Sequence, residues 1–347
     1  RVRHSRPSGA RGLLYWGTMS QKKVLAAVAI LAVGGLLTLG GVVVYTVQTR
    51  QPQDFLLPIV LSTPGVENTL TEAFQRAFRS YRDYWAVDTS EVLQSELVPP
   101  EVRAEAALLV DISTDTVLYA ENPHQRRPVA STLKIMTAIV ALERGQLDQK
   151  ITISKRAAEI GEDTMGTSVG ERYTLEELLY GLLLPSGNDA AEAIAEGLTE
   201  GRRKRFIEWM NLKAWELGLE DTVFVNPSGL DGDGNHYGSA YDLLVMARYA
   251  LRTFPKFREI VATTDYEIPY SSDHKYLYLQ NQTNLLVTYP GVTGIKPGWT
   301  PEAGLCLVTA AERGGHTLIG VILDSPDRRG EMELLLDYGF AVLGVLP

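Results

Sequence analysis

Pro128-Val-Ala-Ser131-Thr-Leu-Lys134-Ile-Met-Thr-Ala138 sets a serine three residues ahead of a lysine, at the start of an apolar run that continues to Leu142. That run predicts a helix. If Ser131 opens it, positions i and i+3 share a face, and the Lys134 amine can reach the Ser131 hydroxyl. A serine hydroxyl is a weak nucleophile at neutral pH and needs a base within hydrogen-bond reach. Lys134 can be that base only where burial or neighbouring positive charge holds its pKa down. Ser-x-x-Lys on its own carries little information, because amphipathic helices produce it by chance.

Working outward, Ser186-Gly-Asn188 and Lys296-Pro-Gly298 follow in chain order. Residues 174–184 have helical periodicity and stop at Pro185, so Ser186-Gly187-Asn188 is expected on a loop, with a new helix opening near Asn188. Lys296 is expected to supply a positive charge that lowers the pKa of Lys134. Residues 106–112 and 116–120 read as strands joined by a tight turn, and residues 291–296, 305–311 and 317–323 read as three more. A last helix is predicted over about 328–343. The fold class is therefore α/β of the α+β type, an antiparallel sheet flanked by helices.

The triplets Ser-x-x-Lys, Ser-x-Asn and Lys-Thr-Gly, in that order, mark serine enzymes that recognise penicillin. Asn122-Pro123, Leu182-Leu-Leu-Pro-Ser-Gly-Asn-Asp-Ala190, Asn226-Pro-Ser-Gly-Leu230, Gly294-Ile-Lys296, Ala303-Gly-Leu-Cys-Leu307 and Leu335-Leu-Asp-Tyr-Gly-Phe340 extend the pattern. Over about residues 104–345 the chain resembles the low-molecular-mass D-alanyl-D-alanine carboxypeptidases, penicillin-binding serine peptidases of the β-lactamase-like superfamily. The resemblance implies the DD-peptidase fold with a helical subdomain, and removal of the terminal D-alanine from peptidoglycan stem peptides. It makes Ser131 the acylated nucleophile, Lys134 its base, and Ser186 the relay that passes a proton to the leaving amine. Asn188 would hold the substrate's peptide carbonyl, and Lys296 would attract its terminal carboxylate. Gly298 and Trp299 would belong to the substrate-binding strand, the Trp299 N–H joining that of Ser131 as the oxyanion hole. Arg328 would help bind the carboxylate. β-Lactams are expected to acylate Ser131 by the same route, and no cofactor or metal is required.

One position departs from the family pattern. Pro297 stands where Lys-Thr-Gly has threonine, which removes a hydroxyl and a backbone N–H from that strand. Proline is tolerated in strands mainly at sheet edges. Two other readings therefore stay open. One is a class A-like β-lactamase, although no Glu-x-x-Leu-Asn segment follows the second motif. The other is a peptidoglycan-binding surface protein without turnover.

The 347 residues, 45% of them hydrophobic, are enough for one sizeable core with an anchor and a linker. With 42 acidic against 33 basic residues, the net charge is −9 and the pI about 5.2, which argues against a nucleic-acid partner. Cys306 is the single cysteine, so no internal disulfide can form.

Residues 24–47 are uncharged and largely apolar, longer than the roughly 20 needed to cross a bilayer as a helix. Lys22, Lys23 and several upstream arginines predict a cytoplasmic segment 1–23, a single-pass transmembrane anchor 24–47, and an extracytoplasmic remainder at the cell membrane. Met19-Ser-Gln-Lys-Lys23 reads as a natural start, which would leave residues 1–18 outside the mature protein. Residues 48–103 read as a proline-punctuated stalk with a short helix over 67–85, and residues 104–347 as the catalytic domain.

Two patterns compete weakly. Gly166-Thr-Ser168-Val-Gly170 matches a nucleophile elbow but lacks the preceding strand and the helix straight after it. Asp231-Gly-Asp233-Gly-Asn235 with Asp242 resembles a calcium loop, except that His236 replaces the turn glycine. His4, His124, His236, His274 and His316 show no zinc spacing.

Overall fold

The structure, a computed structural model, describes residues 85–232 and 236–345. The expected segment 1–23, the anchor 24–47 and the helix over 67–85, save its last residue, lie outside the described residues. Among the described residues no helix is long and apolar enough to cross a membrane.

In chain order the elements are β1 (Ala106–Asp111), β2 (Thr116–Glu121), α1 (Lys134–Arg144), β3 (Lys150–Thr152), α2 (Lys155–Ala158), β4 (Arg172–Thr174), α3 (Leu175–Leu183), α4 (Asn188–Gly197) and α5 (Arg203–Glu216). Then come α6 (Ala240–Thr253), α7 (Pro255–Val261), β5 (Asp265–Ile268), β6 (Leu277–Gln280), α8 (Leu285–Thr288), β7 (Val292–Thr300), β8 (Gly304–Arg313), β9 (His316–Ser325) and α9 (Arg328–Val342). The main sheet has the order β2-β1-β9-β8-β7, and every pairing in it is antiparallel.

Side chains in a strand point alternately to opposite faces, and here both faces are covered. Leu108 and Val110 of β1 with Ile319 and Val321 of β9 pack toward the helical half. Ala107, Leu109, Leu318 and Ile322 face the other way, onto Met332, Leu335, Leu336 and Phe340 of α9. Those four recur at helical spacing, so α9 presents one apolar stripe to the sheet. Helix α1 is buried on all sides from Lys134 to Ala141, as its nearly unbroken apolar run requires.

The α+β architecture and the antiparallel sheet flanked by helices match the expectation. Helix α3 begins with a capping box, in which Thr174 accepts from the Glu177 N–H while Glu177 accepts from the Thr174 N–H. The sheet strands run longer than the periodicity indicated: β7 continues through Pro297 to Thr300. It can do so because β7 is an edge strand, so only one side of its backbone must pair. Pairing is kept on either side of the proline, Lys296 with Val308 and Gly298 with Cys306. The two small ladders β3–β4 and β5–β6 had no counterpart in the sequence reading.

Residues 85–103, the end of the segment read as a stalk, pack on this unit. Arg248 lies 4.3 Å over the Trp85 ring, and the Leu93 N–H donates to the Val117 carbonyl at 2.8 Å. Chain upstream of residue 104 thus covers the β2 edge of the sheet.

Candidate active site

Ser131 sits in the 3-10 turn Ala130–Leu133, which runs directly into α1. The preceding Ala130 has φ +48°, a left-handed conformation that a residue with a side chain adopts only under constraint. That constraint comes from Asn226-Pro-Ser-Gly-Leu230. The Asn226 Oδ1 accepts from the Gly229 N–H at 2.7 Å and the Ser228 N–H at 3.2 Å, while its Nδ2 donates to the Leu230 carbonyl at 2.8 Å. Thr137, one turn along α1 from Lys134, donates to the Pro227 carbonyl at 2.7 Å. This coiled loop is clamped against the nucleophile turn.

Lys134 is fully buried, and its Nζ lies 2.7 Å from Ser131 Oγ, 2.8 Å from Asn188 Oδ1 and 2.6 Å from the Ser228 carbonyl oxygen. An amide oxygen and a backbone carbonyl can only accept, whereas a hydroxyl can also donate. When the amine is neutral, its two N–H groups are held by Asn188 and Ser228, and its lone pair is left facing the Ser131 hydroxyl. Burial lowers the pKa of Lys134 to about 7, against an upward pull from Asp163, Glu162 and Asp189.

Loss of solvent is the largest cause at Lys134, and the two buried ammonium groups repel each other, so each disfavours the charged form of the other. Burial holds Lys296 well below its ordinary range, with Lys134 and Arg328 pushing the same way. Lys296 Nζ and Ser186 Oγ are both buried without a hydrogen-bond partner among the described residues.

Ser186 lies between α3 and α4 with φ +66°, a second strained non-glycine at the site. Asn188 opens α4, and its amide orientation is set by two partners: Lys134 donates to Oδ1, and Nδ2 donates to the Gly161 carbonyl at 3.2 Å. On β7, Gly298 passes the nucleophile turn so closely that an added Cβ would lie 3.0 Å from the Ser131 nitrogen. Trp299 follows it and is 58% exposed. Arg328, the first residue of α9, donates from Nη1 to the Gly298 carbonyl at 2.6 Å. It therefore braces the strand that carries Lys296.

Ser131, Lys134, Ser186, Asn188, Lys296 and Gly298 thus come from three separate parts of the chain. Sequence reasoning gave no role to Asn226, Ser228, Gly229, Asp163 or Asp189. The buried Asp189 carboxylate accepts the N–H groups of Met165, Gly166 and Thr167 at 2.9, 3.0 and 2.9 Å. That pins the glycine-rich stretch as a loop. Ser168 is exposed there, its hydroxyl accepting from Lys275 Nζ at 2.7 Å, and it is no elbow nucleophile. Asp242 is buried near the start of α6, where it accepts from Thr222 and from the Asp221 N–H at 2.6 and 2.9 Å. Those bonds give it a structural task, and no cluster of His, Cys, Asp or Glu able to hold a metal occurs among the described residues.

Residues 93–327 match the family model described as D-alanyl-D-alanine carboxypeptidase. The chain is 36% identical over 246 residues to D-alanyl-D-alanine carboxypeptidase DacF of Bacillus subtilis, covering 69% of this chain and 62% of DacF. It is 37% identical over 261 residues to the D-alanyl-D-alanine carboxypeptidase of Streptomyces sp. strain K15, covering 70% of this chain and 89% of that protein. The crystal structure of the Streptomyces K15 DD-transpeptidase superposes with a TM-score of 0.67 at 36% identity, over 71% of this chain and all of that one. By sequence, by fold and by the way its serine and lysine are paired, this chain belongs to the D-alanyl-D-alanine carboxypeptidase family of serine peptidases.

Proposed function

We propose that the chain is a D-alanyl-D-alanine carboxypeptidase that removes the terminal D-alanine of peptidoglycan stem peptides through an acyl-enzyme on Ser131. The observation that carries this is the fully buried Lys134 Nζ, 2.7 Å from Ser131 Oγ with its pKa lowered to about 7. The substrate's terminal carboxylate meets Lys296. Lys134 takes the Ser131 proton as Oγ attacks the penultimate carbonyl carbon, and backbone N–H groups at Ser131 and Trp299 receive the developing oxyanion. The carbonyl–nitrogen bond breaks, and the amine of the leaving D-alanine takes up a proton through Ser186. Water then attacks the ester, with Lys134 as base, and frees Ser131.

The test is D-alanine release from diacetyl-L-Lys-D-Ala-D-Ala by the purified protein, beside Ser131→Ala. Release that depends on Ser131 supports the reading; equal release by the variant sinks it. β-Lactams enter the same centre, so labelled penicillin should mark Ser131 and be hydrolysed slowly, whereas rapid hydrolysis would favour a β-lactamase. The K15 relative bears the name DD-transpeptidase, which favours adding an amine acceptor to the assay: a new peptide bond in place of free acid would make acyl transfer the main reaction.

The catalytic domain works outside the cytoplasmic membrane, held by a single span over residues 24–47. The support is the uncharged apolar run and the positive residues on its N-terminal side. Protease added to intact cells should digest the domain; full protection would place it inside.

A further inference from the structure

We propose that the outer face of the β5–β6 ladder, built on Tyr276 and Tyr278, is a docking surface for the glycan strand that carries the stem peptides. This rests on the carboxypeptidase reading above and concerns the part of the substrate that lies beyond the peptide.

Side chains alternate along β6. Leu277 and Leu279 turn inward and pack with Ile268 on the core, while Tyr276, Tyr278 and Gln280 face solvent. Both tyrosines are 50% exposed, so their rings form an apolar surface open to a ligand. Glu267 of β5 pairs with Tyr278, and residues directly opposite each other share a face, so a carboxylate joins the two rings and the Gln280 amide. Pyranose sugars offer the matching chemistry. Their C–H bonds suit the negative face of an aromatic ring, and their hydroxyl and acetamido groups suit a carboxylate and an amide.

The surface is preformed and continuous with the catalytic centre. Tyr266 of β5 stacks on Tyr180 of α3 with ring centroids 3.6 Å apart. At the far end of the ladder His274 stacks on Tyr173, and Lys275 Nζ donates to the Ser168 hydroxyl at 2.7 Å. At the near end the Gln282 N–H donates to the Leu184 carbonyl at 3.1 Å and its Nε2 to the Pro185 carbonyl at 3.0 Å, immediately before Ser186. Length points to the sugar. At about 3.4 Å per residue, Tyr278 lies about 14 Å and Tyr276 about 20 Å along the chain from Gln282. A five-residue stem peptide ending in the cleft reaches at most about 17 Å. The sugar joined to its first residue is the group that comes level with the two rings.

The experiment compares kcat/KM of the full chain in detergent for one pentapeptide ending in D-Ala-D-Ala, free or attached to a short glycan of alternating N-acetylglucosamine and N-acetylmuramic acid. The measured quantity is the ratio between the two substrates, which cancels any effect on the chemical step. Two ring contacts predict a preference of about tenfold for the glycan-linked peptide, carried by KM. Tyr276→Ser with Tyr278→Ser should bring the ratio to one and leave the free peptide's rate unchanged, whereas phenylalanine at both positions should keep the preference. Equal rates with Ser131-dependent release, or a preference that survives the double serine substitution, overturns the docking surface and leaves the activity standing. Sedimentation as a dimer that the double serine substitution abolishes would assign the face to a second copy of the chain, and overturns it likewise. No release from either substrate overturns the carboxypeptidase reading, and the docking surface with it.

Discussion

Gly229 is packed backbone to backbone on Ala130: a Cβ added at 229 would lie 2.3 Å from the Ala130 carbonyl oxygen and 3.0 Å from the Ser131 nitrogen. Gly229 also has φ +87°, which residues with side chains rarely adopt. The loop that presents the Ser228 carbonyl to Lys134 can approach the nucleophile turn only because this residue is glycine. Gly229→Ala should lower unfolding free energy by at least about 2 kcal/mol, since strain and a backbone clash add. It should also slow acylation of Ser131 about 100-fold, the penalty for shifting a reacting group by about 1 Å. Urea unfolding and the rate of penicillin labelling measure the two effects; labelling at the wild-type rate would contradict this packing.

The pH profile of kcat/KM should carry an acidic limb set by Lys134, because acylation needs the neutral amine. With the pKa lowered to about 7, the rate should fall about tenfold per pH unit below that value and level off above it. A profile flat from pH 5 to 8 would remove Lys134 from the role of base.

Stability should rise with pH over a neighbouring window. The ordinary lysine value is 10.5, and Lys134 in the folded protein titrates near 7. Between those values the unfolded chain binds more protons than the folded one, so raising the pH favours folding. The gain reaches about 1.4 kcal/mol per pH unit for each such lysine. Lys296 shifts in the same direction and adds to it. Lys134→Met, similar in volume and uncharged, should be less sensitive to pH between 7 and 9 when unfolding is followed at constant salt. Identical slopes in the two proteins would mean that Lys134 is charged in the fold.

Pro297 occupies an edge strand whose pairing continues on both sides of it. Pro297→Thr should therefore change unfolding free energy by no more than about 1 kcal/mol, mostly through the added freedom of the unfolded chain. With a hydroxyl restored beside Lys296, KM for a D-Ala-D-Ala peptide should fall while kcat holds. A fall of several kcal/mol in stability would show that the strand depends on the proline, and an unchanged KM that the missing hydroxyl plays no part.

What the sequence made legible is what short-range geometry dictates. Ser131 and Lys134 meet because a helical turn places i and i+3 together, and Pro185 ends α3 because its ring cannot continue a helix. β8 and β9 were readable as short, nearly unbroken apolar runs bounded by turn residues, and α9 as an apolar stripe at helical spacing. The ladders β3–β4 and β5–β6, with strands of three or four residues, were not, because so few residues show no period.

The chemistry of the base was decided elsewhere. Lys134 has a pKa near 7 because sheet, loops and helices together exclude water from it, a sum over the whole fold that no local pattern encodes. Its two fixed acceptors lie 54 and 94 residues away in the chain. So the sequence by itself determined which residues could react, through periodicity and spacing. Only the tertiary structure decided that the Lys134 amine has its pKa pulled down by burial and that Pro297 lies on an edge strand whose pairing continues on both sides. Burial and long-range contact set charge and pKa, and both exist only once the chain has closed on itself.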